Sequence, residues 1–386
     1  MSKFNFDQVF ERRGSDSEKW RAFGKGVLPL WVADMDFMAP PEVIQALQTR
    51  IAHGIFGYGG VTAELSAVIC NRLWERFKWA VTPDQLVFLP GLVSALNVVS
   101  KAVCPPGGGV LVQTPVYPPF LSAPIYQGLK LDIAELEVIH SGPTLNYTID
   151  YNTFVQAIQP HTRLFMLCNP HNPVGRCYSR EELTRLAEIC LRHDLIICSD
   201  EIHCELILDD SEHIPIATLA PEIAECCITL MAPSKTFNIA GLYCGFAIIQ
   251  NPGLREQIRQ TAQGLVPNIN VLGLTAGLAA YSADDGWRQA LLAYLKVNRD
   301  YLVSYIAEHL PMLQTTIPEG TYLAWLDCNA ADINGNPQKF FLKHARVALN
   351  DGEDFGQNGA GYVRLNFGCP HSLLEQALEQ MREALT

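Results

Sequence analysis

The chain has 386 residues, 48% of them apolar and 18% charged, a composition that builds more than one core and is not that of a disordered chain. Its 40 acidic residues outnumber 28 Lys and Arg, and the formal net charge of −12 excludes the broad basic surfaces that nucleic acids and acidic membranes reward. The N-terminus "MSKFNFDQVFERRGSDSEKW" lacks the apolar stretch of a signal peptide, and the most apolar segment, 269–281, is too short to cross a bilayer.

In chain order, the first regular signals are "QLVFLP" (85–90), an apolar-periodic segment at 92–103, and "GVLVQTP" (109–115). "RLFMLCNP" (163–170) leads to 179–193, where Ser179 and Glu182 have the spacing of a capping box at a helix start. "LIICSD" (195–200), "CCITLMA" (226–232) and "LYCGFAII" (242–249) follow. Continuous apolar runs of this length, joined by helical patterns, predict buried parallel strands of an α/β sheet. After Gly286 the pattern changes to a helix over about 287–309, strands at 313–317 and 322–328, a helix near 337–345, a strand at 362–367 and a C-terminal helix from 371. The expected organisation is a large α/β domain over 46–286 and a smaller α+β domain over 287–386, with residues 1–45 joining the smaller one. The twelve cysteines lie scattered in apolar runs with no CxxC spacing. That pattern supports neither a metal site nor a redox motif, and it predicts reduced thiols in a cytoplasmic protein.

In open α/β sheets, ligands gather at the carboxyl ends of strands. Asn169 and Asn172 in "CNPHNPVGR", Asp200, and Ser234 with Lys235 all fall at such ends. A phosphate loop around Lys235 is excluded, because the six residues before it, "TLMAPS", contain no glycine to let backbone amides curl round a phosphate. A dinucleotide fingerprint is excluded as well, since "PGGGV" lacks the GxGxxG spacing and precedes a strand. Two readings of Lys235 remain, a solvated surface lysine and a lysine that forms a Schiff base. The second suits pyridoxal 5'-phosphate, whose pyridinium nitrogen requires a carboxylate partner such as Asp200.

"NPHNPVGR", "SDEIH" and "SKTFNIAGL", in this order and at these separations, resemble the fold-type I pyridoxal-phosphate enzymes related to aspartate aminotransferase. More narrowly the chain is similar to the MalY/PatB group of cystathionine β-lyase-like C–S lyases, a resemblance carried also by "LPLWVADMDFMAPPEV", "FGYGG", "TPVYPPF" and "YVRLNFG". The resemblance covers essentially the whole chain. It implies a three-layer, mainly parallel sheet in the large domain. It also implies that Lys235 is both Schiff-base lysine and general base, that Asp200 pairs with the pyridinium nitrogen, that Asn172 bonds the ring hydroxyl and that Tyr117 stacks on the ring. Gly91, Leu92 and Val93 would hold the phosphate at a helix N-terminus, helped by Ser234 and by Tyr58 from a neighbouring subunit, so that a homodimer shares its active sites. His203 stands where many aminotransferases carry a ring-contacting Tyr. Arg364 would grip the substrate α-carboxylate in a bidentate fork, with Asn172 and Tyr117 beside it. The bland alternatives are a turn residue for Asn172, packing aromatics for Tyr58 and Tyr117, a buried structural His203 and an edge-strand charge for Arg364. One departure from the motif is Glu205, where an Asp is expected.

The same cofactor supports transamination or expulsion of a Cβ leaving group. The stretch between Arg259 and Arg288 contains no Lys or Arg. In dicarboxylate-specific aminotransferases an arginine within the segment corresponding to "VPNINVLGL" binds the distal carboxylate. Its absence, together with the acidic pair Asp34 and Asp36, favours neutral or cationic S-substituted cysteines such as cystathionine. The expected function is therefore β-elimination of cysteine S-conjugates. An aminotransferase for neutral or aromatic amino acids and a cofactor-binding regulatory protein are the alternatives.

Overall fold

The computed structural model of the protein describes residues 4–209 and 211–386. Its central sheet has seven strands in the spatial order Leu86–Leu89, Gly245–Ile248, Cys227–Met231, Ile196–Asp200, Thr162–Cys168, Gly109–Thr114 and Lys130–Glu135. Side chains along a strand alternate between faces, and here both faces are apolar. Leu111, Phe165, Leu167 and Ile197 join one core, while Val110, Val112, Leu164, Met166 and Cys198 join the other. Helices Ala63–Phe77 and Arg180–Arg192 cover the first face through Leu65, Ile69, Leu183 and Leu186. Helices Leu92–Val103 and Pro252–Ala262 cover the second through Leu96, Val99, Leu254 and Ile258. The result is the expected three-layer arrangement.

One strand departs from the expected parallel set. Gly245–Ile248 runs antiparallel to both of its neighbours, so the apolar run at 242–249 is correctly a buried strand but has the opposite direction. Hydropathy reports burial on both faces and carries no information about strand direction.

A second sheet has six strands, ordered Asn350–Asp351, Tyr362–Asn366, Leu323–Asp327, Gln314–Thr315, Thr144–Thr148 and Glu137–Ser141. Its core also draws on the long helix Gly286–His309 and the C-terminal helix His371–Leu385. The last two of these strands, Thr144–Thr148 and Glu137–Ser141, form a hairpin from the middle of the chain, which sequence reading did not single out. Residues 1–45 contribute Leu28–Pro29, paired in parallel with Val347–Ala348, and Phe6, Leu30 and Met35 of the same core. The helix near 337–345 is in two parts, an α-turn at Pro337–Phe340 and a π-helical stretch at Phe341–Ala345.

The Ser179 capping box is present. The Ser179 hydroxyl accepts from the Glu182 amide and the Glu182 carboxylate accepts from the Ser179 amide, satisfying two amides that the helix itself cannot. Replacing Ser179 by Ala is expected to destabilise the fold by about 0.5–2 kcal/mol. The measurement is a lower denaturant midpoint with an unchanged slope.

Candidate active site

Six of the seven central strands point the same way, so their carboxyl ends share one edge of the sheet. Gly91 follows the first strand, Tyr117 the one ending at Thr114, and Asn169 and Asn172 the one ending at Cys168. Asp200 ends its own strand in register with Cys168 and Leu230, and Ser234 and Lys235 lie just past Met231. Arg364 arrives from the second sheet, where its strand is flanked on both sides, so the edge-strand alternative is overturned.

Arg364 is buried, at 3% exposure, and its Nη1 donates to Asn172 Oδ1 at 2.8 Å. Its Nη2 donates to the Trp31 carbonyl at 3.0 Å and to Asn350 Oδ1, and its Nε has no partner. Among the described residues no carboxylate pairs with it. Burial therefore pulls the guanidinium down to about 10, against which the nearby Tyr117 and Tyr322 hydroxyls work only weakly.

Lys235 is half-buried, and its Nζ donates to the Ala33 carbonyl at 2.6 Å. Desolvation and then the Arg364 charge lower its ammonium to about 8, while Asp34 and Asp200 oppose the shift. Asp200 is buried and its carboxylate accepts one bond, from the Ile202 amide at 3.1 Å. Burial raises its carboxyl to about 7. His203 is buried with an unpartnered Nδ1, edge-on to Tyr322 at 5.8 Å, and desolvation holds it neutral by lowering it well below its ordinary value. The Tyr117 amide donates to the Asn172 carbonyl at 3.0 Å, and burial raises the Tyr117 hydroxyl, with Arg364 and Asp200 as charged neighbours. Asn169 Nδ2 is buried without a partner as well.

Gly91 sits at φ +88 and opens the helix Leu92–Val103, whose first turn has no side-chain cap. The positive φ favours glycine, and a Cβ there would also press to 3.3 Å on the Tyr243 ring. Leu92 is buried and Val93 exposed, and Ser234 is buried beside Lys235. Tyr58 is not drawn into this cluster. It is fully exposed in a stretch that also exposes Ile55, Phe56 and Val61.

Three residues read from the sequence, Glu205, Asp34 and Asp36, have a different setting from the one expected. Glu205 accepts from Arg72 Nε at 2.7 Å and from its Nη2, in a network with Arg288, Arg76 and Asp285, so the longer side chain reaches an arginine away from the Lys235 cluster. Asp36 is buried and accepts from Arg12, Lys19 and Trp20, and Asp34 pairs with Arg12 in two bonds. Their charges are compensated, so this pair does not supply the free negative field against dicarboxylates that its sequence position suggested. Sequence reading missed Asn350, Tyr322 and the Ala33 carbonyl, none of which stands in a distinctive local pattern.

A lysine, an unpaired buried carboxylate and an unpaired buried guanidinium at the carboxyl edge of an α/β sheet define the site of a fold-type I pyridoxal-phosphate protein. The match to the aminotransferase class I and II family model spans residues 25–381, and the chain belongs to that family. It is 38% identical to cystathionine beta-lyase PatB of Bacillus subtilis, over 99% of this chain and 100% of that protein. The crystal structure of OvoB superposes with a TM-score of 0.94 at 41% identity, covering 99% of each chain. That of the PLP-bound C–S lyase from Staphylococcus hominis does so with 0.92 at 33% identity, covering 99% of this chain and 98% of the other.

The raised Asp200 carboxyl makes a pH prediction for the ligand-free protein. Between the ordinary value of 3.8 and about 7, the folded chain holds a proton that the unfolded chain has released, so this group lowers stability as pH rises through that window. Asp200→Asn, which is neutral throughout, is expected to melt above the parent at pH 8 and level with it at pH 4. Equal differences at the two pH values in thermal melts would refute the assignment.

Proposed function

We propose that this protein is a pyridoxal-phosphate-dependent β-lyase that cleaves cysteine S-conjugates of the cystathionine type to a thiol, pyruvate and ammonia. The observation that carries the reading is a half-buried lysine, Lys235, whose ammonium feels both a buried guanidinium and a buried carboxylate, Arg364 and Asp200, neither of which is held in an ion pair. Its relatives named cystathionine beta-lyase and C–S lyase support it.

The residues present fit the cofactor. Asp200 is a buried carboxylate that makes no ion pair and feels the Lys235 charge only as a secondary influence, which suits a protonated ring nitrogen. The uncapped helix start after Gly91, with the Leu92 and Val93 amides and Ser234, suits a phosphate. Asn172 would bond the ring hydroxyl, Tyr117 would cover the ring, and His203 would line it. Lys235 would anchor the cofactor covalently. Bound pyridoxal phosphate supplies an electron sink that makes the substrate Cα proton acidic.

This chain's groups then do the following. Arg364 binds the substrate α-carboxylate, which provides the counter-charge it lacks, and Asn172 and Asn350 hold its plane. The lysine amine, lowered toward neutral pH by burial and by Arg364, takes the Cα proton at Nζ. The segment 260–287 contains no cation for a second substrate carboxylate, which favours neutral or cationic side chains.

The catalytic unit in this reading is a homodimer. The exposed Ile55, Phe56, Tyr58 and Val61 offer an apolar surface to a second copy, to whose phosphate Tyr58 would reach. The chain divides into a large domain at 46–286 and a small one at 287–386 joined by 1–45, with the 137–148 hairpin crossing to the small-domain sheet. We place the protein in the cytoplasm, where its twelve free cysteines remain reduced, and no described helix is long and apolar enough to cross a membrane.

The test is to incubate the purified protein with cystathionine and measure pyruvate and free thiol. Pyruvate and thiol in equal amounts are expected, and Lys235→Ala should lose at least ~10³-fold in rate together with the borohydride-sensitive absorbance of the lysine-bound cofactor. Absence of pyruvate with conversion of the cofactor to its amine form would overturn the lyase reading in favour of transamination.

A further inference from the structure

The segment Trp31–Asp36 has no regular secondary structure, yet its carbonyls do not face water. Five successive ones are taken by side chains. Arg364 donates to Trp31 at 3.0 Å, Asn366 to Val32 at 2.7 Å, and Lys235 to Ala33 at 2.6 Å together with the Tyr322 hydroxyl at 3.0 Å. Lys19 donates to Asp34 at 2.8 Å, and Asn238 to Met35 at 2.9 Å. Two of the donors, Arg364 and Lys235, are the charged groups of the active site, and the rest hold the strap itself. Apart from the Asp36 amide, which donates to the Gly368 carbonyl at 2.9 Å, such a strap has no ladder to set its position, so side-chain partners set the rest.

The most heavily built of these anchors lies outside the active site. Lys19 is fully buried, at 0% exposure, and its Nζ bridges the Asp34 carbonyl and the Asp36 carboxylate at 2.7 Å. The same carboxylate accepts from Trp20 Nε1 at 2.7 Å and from Arg12 at 2.6 Å. The short helix Glu18–Arg21, capped by Ser17, fixes where Lys19 and Trp20 start from. A buried ammonium is tolerated only with such pairing, and removing one partner leaves the others uncompensated.

We infer that Lys19 and Trp20, acting through Asp36, are positioning residues of the active site: they hold the Trp31–Asp36 strap in the register at which its carbonyls orient Arg364 and Lys235. The inference rests on the substrate and base roles given above for those two residues. It assigns a role to the "SEKW" and "WVADMDF" stretches that neither cofactor nor substrate contacts explain. The strap works by orientation, because a carbonyl bond to one guanidinium nitrogen fixes the plane that a substrate carboxylate must match.

The test uses the cofactor-loaded enzyme and three variants. Trp20→Phe keeps the aromatic bulk and removes one bond to Asp36, and Lys19→Met keeps the chain length and removes the bonds to the Asp34 carbonyl and the Asp36 carboxylate. Arg364→Lys probes the underlying substrate role. Trp20→Phe is expected to raise KM about threefold to tenfold, the size of one lost hydrogen bond, with kcat per loaded site changed less. Backbone amides of residues 31–36 should exchange faster in deuterium labelling, while exchange in the central sheet stays at the parental rate. Lys19→Met should move KM and strap exchange the same way; if it fails to fold, Trp20→Phe decides alone. A merely structural role lowers the melting temperature and the active fraction while leaving KM at the parental value, and that result overturns the inference. If Arg364→Lys also leaves KM unchanged, the substrate role of Arg364 fails and takes the inference with it. A raised KM in Arg364→Lys beside a parental KM in Trp20→Phe overturns the positioning role alone.

Discussion

Arg364 carries its charge into the protein where no described carboxylate meets it, and the site is organised around that deficit. Asp200 is buried on the opposite logic, a carboxylate with one amide for company. Removing an ion from water costs several kcal/mol after relaxation, against a net folding stability of about 5–15 kcal/mol for a typical domain. Such groups persist only where the surrounding structure is over-determined. Here the central strands from Thr162 to Met231 are apolar on both faces and almost wholly buried, which gives the edge they end on very little freedom. In the reading proposed above, the protonated ring nitrogen of the cofactor would relieve the one deficit and the substrate carboxylate the other.

The two halves of the site are held by different means. Asp200, Asn169 and Lys235 follow from strand ends, so their spacing is inherited from a ladder with a fixed repeat. Arg364 comes from another sheet, and the strap that links it to Lys235 has no ladder of its own. Side-chain donors replace the missing backbone bonds, and Asn366 alone supplies two of them, to Val32 and Asp34. A site assembled from two sheets needs such a coupling, because each sheet fixes only the groups it carries.

Much of this was legible in the sequence, for identifiable reasons. The inner parallel strands announce themselves as continuous apolar runs, since both faces are covered, whereas the half-exposed edge strand Lys130–Glu135 does not, and Ser179 with Glu182 marks a helix start by local chemistry alone. The ordering of Asp200, Lys235 and Arg364 carried the site through resemblance. The hairpin at 137–148 did not stand out, because its outer strand Glu137–Ser141 is mostly exposed and polar, and the distant pairing of Thr144 with Thr315 leaves no local mark. The reversed direction of Gly245–Ile248 is invisible to hydropathy for the same kind of reason. Lys19 is the clearest case. A lysine in "SEKW" reads as solvated, and only the partners brought from residues 34 and 36 make its complete burial possible.

The partner chosen for Lys235 has a chemical consequence. A carboxylate beside the lysine would favour the ammonium and raise its pKa, as it does for most paired lysines. The Ala33 carbonyl accepts a hydrogen bond from either an ammonium or a neutral amine, so it orients Nζ while favouring the charged state far less strongly. The acidic groups that do act on Lys235, Asp34 and Asp200, are secondary to desolvation and to the repulsion from Arg364. The lysine is thereby both held in place and released toward neutrality, which a base near neutral pH requires. An ion pair would have secured the first at the expense of the second. Main-chain polarity, delivered by a segment that has no regular structure, secures both.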